Sequence, residues 1–148
     1  MVNERKEIHM KIKVLLVMPD KEAQVVRIPA NIKFLKAFLG KNLLRIKLDD
    51  NNMIIANKDA KIDEFNRFLN GNVILGTFII VSIRKNNRRV SMKKRDIRKY
   101  TNFFKLRKHQ KKIEQCKDEY LEEFYYAQRK RKIKNHKRNR EIIFKIAA

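Results

Sequence analysis

The chain has 148 residues, is 43% hydrophobic, and sets 38 Lys/Arg against 16 Asp/Glu for a formal net charge of +22. That length suits one domain with an appendage, and the apolar fraction argues against wholesale disorder. The single cysteine excludes an internal disulfide and a Cys-based zinc site, and three glycines exclude a Walker or dinucleotide phosphate loop.

Residues 1–9 are polar and are expected to fray ahead of Met10, an alternative start. From Lys11 to Met18 the pattern alternates, with Ile12, Val14, Leu16 and Met18 on one face, which predicts a half-buried strand. Pro19-Asp20-Lys21-Glu22 breaks it, and Gln24 to Ile28 predicts a second strand paired with the first as a hairpin. Asn31 is a good N-cap for a helix carrying Ile32, Leu35, Phe38 and Leu39, with Gly40 at its C-terminal end. Leu44, Ile46 and Leu48 alternate as a strand, Asp49-Asp50-Asn51-Asn52 turns, and Met53 to Ala56 returns. Residues 58–72 are mixed, with Phe65, Phe68 and Leu69 as core anchors and Gly71 ending the segment.

Val73 to Ile83 is apolar on both faces and reads as a central strand, in which Gly76 marks a bulge or a close backbone approach. It is far short of the ~20 residues of a spanning helix. No charged and apolar leader opens the chain, so a cytoplasmic location is expected. Asn86-Asn87 turns the chain into a short return at Arg88 to Val90. Ser91 is the expected N-cap of a helix bearing Ile97, Tyr100 and Phe104. A second helical stripe runs Leu106, Ile113, Cys116, Tyr120, Phe124, Ala127, with His109 filling the gap. The expected architecture is α+β: a small mixed or antiparallel sheet with packed helices over 10–104, then a basic helical extension over 105–148.

Several stretches carry a family resemblance. They are Leu15-Leu16-Val17-Met18-Pro19, the acidic turn and strand from Asp49 to Asn57, Asn66-Arg67, and the block Ile74 to Val81, followed by a helix with Tyr100, Phe103 and Phe104. Residues 10–104 resemble a small family of unknown function from Gram-positive bacteria, their phages and mobile elements. The resemblance implies a fold and a genetic context and no mechanism. The chain departs from it at Leu39-Gly40-Lys41, where the family tends to carry a glycine pair. It departs again at Lys58-Asp59-Ala60-Lys61, which is less acidic and lacks glycine. Both departures bear on Asn57 and Arg67 as markers of a family site.

The functional signal is charge. Residues 1–83 hold 14 Lys/Arg and 9 Asp/Glu, whereas residues 84–148 hold 24 and 7. Two basic constellations stand out. Arg84, Lys85, Arg88 and Arg89 surround a turn, followed by Lys93, Lys94, Arg95, Arg98 and Lys99 on the next helix, with Asp96 the one acid. Arg129, Lys130, Arg131, Lys132, Lys134, Lys137, Arg138 and Arg140 form an acid-free run near the C-terminus. Such a field attracts polyanions, and the expected function is non-enzymatic binding of nucleic acid through phosphates. RNA is slightly favoured over DNA, because no helix-turn-helix or zinc motif is visible. Most of the aromatics Tyr100, Phe103, Phe104, Tyr120, Phe124, Tyr125 and Tyr126 are expected to pack, with Tyr125 or Tyr126 the exposed exception. Glu114, Asp118, Glu119, Glu122 and Glu123 form an acidic island expected to pair with cations of the arm.

Two other readings compete. One is a phage or mobile-element accessory protein that binds and inhibits a host protein, such as a defence nuclease. The other, ranked last, is attachment to an anionic membrane through Ile142, Ile143, Phe144 and Ile146. His9, His109 and His136 lack a second metal ligand at helical spacing, and Cys116 sits on an apolar stripe as an inert thiol does. No cofactor is expected.

Overall fold

The structure, a computed structural model, describes residues 10–129, with side chains through residue 122. The frayed segment expected at 1–9 and the basic run from Lys130 onward lie outside the described residues. Strand β1 (Lys11–Val17) sends Ile12, Val14 and Leu16 to one face and Leu15 and Val17 to the other, and all five are buried. The half-buried expectation is therefore corrected: both faces of this strand are covered. Strand β2 (Gln24–Pro29) pairs antiparallel with it, from Lys11 opposite Pro29 to Leu16 opposite Gln24, as the expected hairpin.

Helix α1 (Ile32–Leu39) starts where the Asn31 side chain accepts the Phe34 N–H at 2.7 Å. It ends at Gly40, whose φ of +143° and closeness to Asn57 leave no room for a Cβ. Its Leu35 and Leu39 close over Val14, Ile55, Ile79 and Val81 on one face of the sheet. Strands β3 (Leu43–Lys47) and β4 (Asn52–Asn57) form a second antiparallel hairpin about the acidic turn.

The apolar run 73–83 is not one strand. Its first part, Asn72–Leu75, pairs with Phe65–Leu69 in a separate two-stranded sheet, and its second part, Phe78–Ile83, lies at the centre of the main sheet. These strands are β5 (Phe65–Leu69), β6 (Asn72–Leu75) and β7 (Phe78–Ile83). Gly76 separates the last two. Its φ is +72°, its N–H donates to the Glu64 carbonyl at 2.7 Å, and a Cβ would stand 3.0 Å from that of Ala60. A left-handed residue at that point redirects the chain between sheets. Asn70 and Gly71 both have positive φ, 52° and 81°, and make the two-residue turn between β5 and β6.

The main sheet runs β2-β1-β7-β4-β3, antiparallel throughout, with β8 (Arg89–Val90) on the end of β7. On the face opposite α1, Leu15, Val17, Ile54, Phe78 and Ile80 pack beneath Tyr100 of helix α2 (Lys94–Phe103) and Phe104 just after it. Helix α3 (Leu106–Arg129) follows after two residues and lays Ile113 on Phe65 and Val73, with Cys116 and Tyr120 beside them. The fold is α+β. No helix among the described residues is long and apolar enough to cross a membrane.

Candidate nucleic-acid interface

The basic turn is built as its sequence suggests. Asn87, with φ of 60°, donates its N–H to the Arg84 carbonyl at 2.9 Å, and the Arg84 N–H donates to the Arg88 carbonyl at 2.9 Å. Arg84, Lys85 and Arg88 are exposed. Arg89 is different. It is half-buried, and its Nε donates to the Ala30 carbonyl at 3.1 Å, tying β8 to the corner between β2 and α1. Burial, then the nearby Arg45, pulls its pKa down. Its guanidinium belongs to the framework more than to the surface.

Ser91 is not the cap of α2. Its Oγ accepts the Lys13 N–H at 2.9 Å, and the Met92 N–H donates to the Lys13 carbonyl at 3.0 Å. Those two residues are used in pairing with β1, so the helix starts later, with Lys93 at the N-cap and no side-chain cap. Lys93, Lys94 and Arg95 are exposed there.

Helix α2 sorts its charges by face. Asp96, the one acid over residues 84–99, is turned inward and is 6% exposed, with Arg95 Nε 3.6 Å from its Oδ1. Arg95, Arg98, Lys99 and Lys105 line an outer groove with Thr101 and Asn102, and no carboxylate lines it. A second hollow joins the basic turn to the start of α2, lined by Lys47, Arg84, Lys85 and Lys93. Two carboxylates, Asp50 and Asp96, line it as well, Asp50 3.4 Å from Lys47. Lys105 and Lys47 escaped the reading of the sequence. Lys105 continues the i, i+3 and i+4 rows of Arg98 and Asn102, a usable signal, whereas Lys47 joins only because β4 brings its hairpin beside β7. An apolar cleft of about 360 Å³ lies elsewhere, between Leu44, Ile46, Ala56 and the hairpin residues Leu69, Val73 and Ile74.

The groove is held from beneath by the acidic turn. The Tyr100 hydroxyl donates to the Asp49 carboxylate, which also accepts the Asn51 N–H at 2.7 Å and the Asn52 side-chain amide at 3.0 Å. Ser82 Oγ donates to Asn52 Oδ1 at 2.7 Å. Burial works against the ionised Asp49, but the bonds from Tyr100, Asn52 and the backbone outweigh it and hold the carboxyl below its ordinary range. Burial and Asp49, then Asp96, push the Tyr100 phenol up. The turn is thus the clamp that fixes α2 on the sheet.

A second clamp holds the bend between α2 and α3. Arg67 is 0% exposed. Its Nε donates to the Phe104 carbonyl at 2.8 Å, its Nη1 to the Asn66 carbonyl at 3.2 Å and Oδ1 at 3.0 Å, and its Nη2 to the Lys21 carbonyl. Burial lowers its pKa, partly offset by the carboxylates of Glu22 and Asp20. Asn66 donates to the carbonyls of Val17 at 3.0 Å and Gly76 at 2.7 Å. His109 Nδ1 accepts the Phe68 N–H at 3.1 Å, so its proton is on Nε2, which donates to the Phe103 carbonyl at 2.9 Å. Burial lowers the His109 pKa and the Phe103 carbonyl raises it, while Arg67, Lys112 and Lys108 lower it further. Glu22 accepts the Leu106 N–H at 2.6 Å and caps α3. Asn66-Arg67, a marker in the sequence, is therefore a joint between strands and the α2–α3 bend. Asn57, the other marker, turns its Oδ1 back onto the Asp59 N–H at 2.9 Å.

On α3, Lys117 reaches Asp20 in the β1–β2 turn at 3.9 Å, and Glu114 lies 3.5 Å from the Gln110 amide. The pairing of the acidic island with cations of the arm is not seen among the described residues; Asp118, Glu119 and Glu122 are exposed. Burial, then Glu119, raises the Cys116 thiol. Among the described residues no three His, Cys, Asp or Glu side chains converge as metal ligands. Leu121 is exposed beside the island, the one large apolar residue so placed among the described side chains of α3. The aromatics Phe124, Tyr125 and Tyr126, the side chain of Arg129, and Lys130, Arg131, Lys132, Lys134, Lys137, Arg138 and Arg140 lie outside the described residues. Phe103, expected to pack, is instead 44% exposed.

Comparison with curated proteins and with solved structures found no match. A model of the domain of unknown function DUF3846 matches residues 10–105, from the start of β1 to the bend before α3, and the chain belongs to that family.

Proposed function

We propose that this protein is a non-enzymatic nucleic-acid-binding protein that holds phosphates on the basic turn and the outer face of α2. The acid-free run that begins at Arg129 adds to the same field. The observation that carries this reading is the sorting of charge on α2. Its one acid is buried, while Arg95, Arg98, Lys99 and Lys105 share a groove without a carboxylate. Arg95 has Asp96 Oδ1 3.6 Å from its Nε, whereas Arg98, Lys99 and Lys105 have no carboxylate partner among the described residues, and a polyanion relieves their mutual repulsion while releasing its condensed counterions. Arg supplies bidentate contacts to phosphate, and Lys acts as a point charge. RNA is preferred to DNA in this proposal, since α2 and α3 bend at two residues without a groove-reading pair. The setting is the cytoplasm, with a phage or mobile-element origin following from the family resemblance.

The test is an anisotropy titration of single- and double-stranded RNA and DNA with the full chain across a salt series. With about six to eight phosphates contacted, log K should fall with log salt at a slope of roughly −5 to −7. Binding weaker than about 10 µM at low salt, where electrostatics are strongest, would overturn the proposal.

A further inference from the structure

The aromatic cluster at the end of α2 has an inner column and an outer member. Tyr100 and Phe104 stack at 29°, and Phe104 and His109 at 25°, making a buried pile that continues the core. Phe103 does not join the pile. It meets Tyr100 at 76°, Phe104 at 82° and His109 at 62°, with centroids 6.5, 4.8 and 6.2 Å away. Among the described residues no ring lies parallel to it, and it is 44% exposed. Three edge contacts hold the ring in place, so little side-chain freedom remains to be lost when something flat lands on it.

Its surroundings specify what that would be. Arg95, Lys99 and Phe103 follow one another at i, i+4 and i+8 on α2, about 6 Å apart along the axis. The Lys99 ammonium lies over the Tyr100 ring at 5.2 Å, and the Tyr100 centroid is 6.5 Å from that of Phe103. Residues 98–113 contain seven Lys/Arg and no Asp or Glu, Glu22 is occupied in capping α3, and Asp20 is paired with Lys117. An apolar partner protein would gain little from one ring set among so many cations. A nucleotide strand offers both a flat base and a phosphate at short spacing, and its bases are available only when unpaired.

We infer that single-stranded nucleic acid lies along α2, with one base stacked on Phe103, which stands outside the lining of the groove, and adjacent phosphates held in the groove by Lys99, Arg95 and Arg98. This rests on the proposed function and sharpens it from nucleic acid to unpaired strands. Selectivity for base identity is low, because every base has a π-face.

The chain contains no tryptophan, so Phe103→Trp creates a sole indole reporter at the stacking position. The full-length variant would be titrated with unstructured single-stranded RNA, single-stranded DNA, and duplexes of the same length. The expected result is quenching of the indole by single strands and little change with duplexes. Phe103→Ala should weaken single-strand binding about 5- to 100-fold while shifting duplex binding less than about twofold. Where Phe103→Ala fails to fold, Phe103→Leu keeps the apolar bulk without the ring and should give the same loss. The inference is overturned when single strands bind the full chain but leave the indole emission unchanged, or when Phe103→Leu binds them as tightly as the native chain. In either case the phosphate-binding proposal stands. Failure of every nucleic acid to bind removes both.

Discussion

Arg67 and Arg95 carry the same side chain on opposite sides of one helical corner, and the protein uses them in opposite ways. Arg67 is enclosed and donates to the carbonyls of Phe104 and Lys21 and of its neighbour Asn66, joining β5 to two distant chain segments. Arg95 is exposed in a groove whose other charged members, Arg98, Lys99 and Lys105, are also cations, and it forms only a 3.6 Å pair with Asp96. A buried guanidinium stays charged and must have its donors satisfied by nearby acceptors, which makes it a rigid joint and leaves it little to offer a ligand. An exposed one contributes almost nothing to folding and keeps its donors for phosphate. In this family fold a count of arginines therefore overstates the binding surface, and the orientation of each decides its role.

The sharpest way to break that comparison is Arg67→Leu. It orphans buried carbonyls that each cost about 1–3 kcal/mol, so a loss of about 3–5 kcal/mol is expected in denaturant unfolding. A loss below about 1 kcal/mol would mean that Arg67 is not the joint. Tyr100→Phe removes one bond to the partly exposed Asp49 carboxylate and should cost about 1 kcal/mol. Asp49 titrates below its ordinary 3.8 in the folded state, so its contribution is present above that value and fades as pH falls through the lower folded pKa. The Tyr100→Phe penalty should accordingly shrink in acid.

His109 shares the interior with Arg67 and adds a pH dependence. Its folded pKa lies below the ordinary 6.5, so the unfolded chain takes up the proton first. Stability should be flat above that range and fall as pH drops from 6.5 towards the folded pKa. Thermal melts between about pH 7.5 and 5 should show the fall in the native chain and a flatter profile in His109→Gln. The smallest effect on stability belongs to the outer face. A triple Arg95→Gln, Arg98→Gln, Lys99→Gln variant should unfold within about 0.5 kcal/mol of the native chain. The same variant should lower the salt slope of nucleic-acid binding by about 2–3, which separates binding cations from the structural one.

Much of this arrangement was readable along the chain. The alternation of Ile12, Val14 and Leu16, the cap at Asn31, Gly40 after Leu39 and the acidic turn are short-range signals, and each marks an element that formed. Strand β5 was missed although Asn70-Gly71 is a strong hairpin turn, because Asn66 and Arg67 interrupt the apolar pattern with residues that are polar and buried. Ser91 was misread for a related reason. A serine before a helix is a good cap in isolation, but here the Lys13 N–H, 78 residues away, claims its hydroxyl.

By itself the sequence determined that this protein has an α+β core with a basic second half, since composition, period and capping act over a few residues. It also determined where cations are dense. Only the tertiary structure decided that 73–83 divides between two sheets at Gly76, that Arg67 and Asp96 turn inward while Arg89 ties down a corner, and that Phe103 stays out. Those outcomes depend on partners between 37 and 59 residues away for Arg67 and Arg89 and on the packing of α2 against the sheet. Burial of a polar group is settled by whether distant chain can satisfy its hydrogen bonds, which no local pattern records.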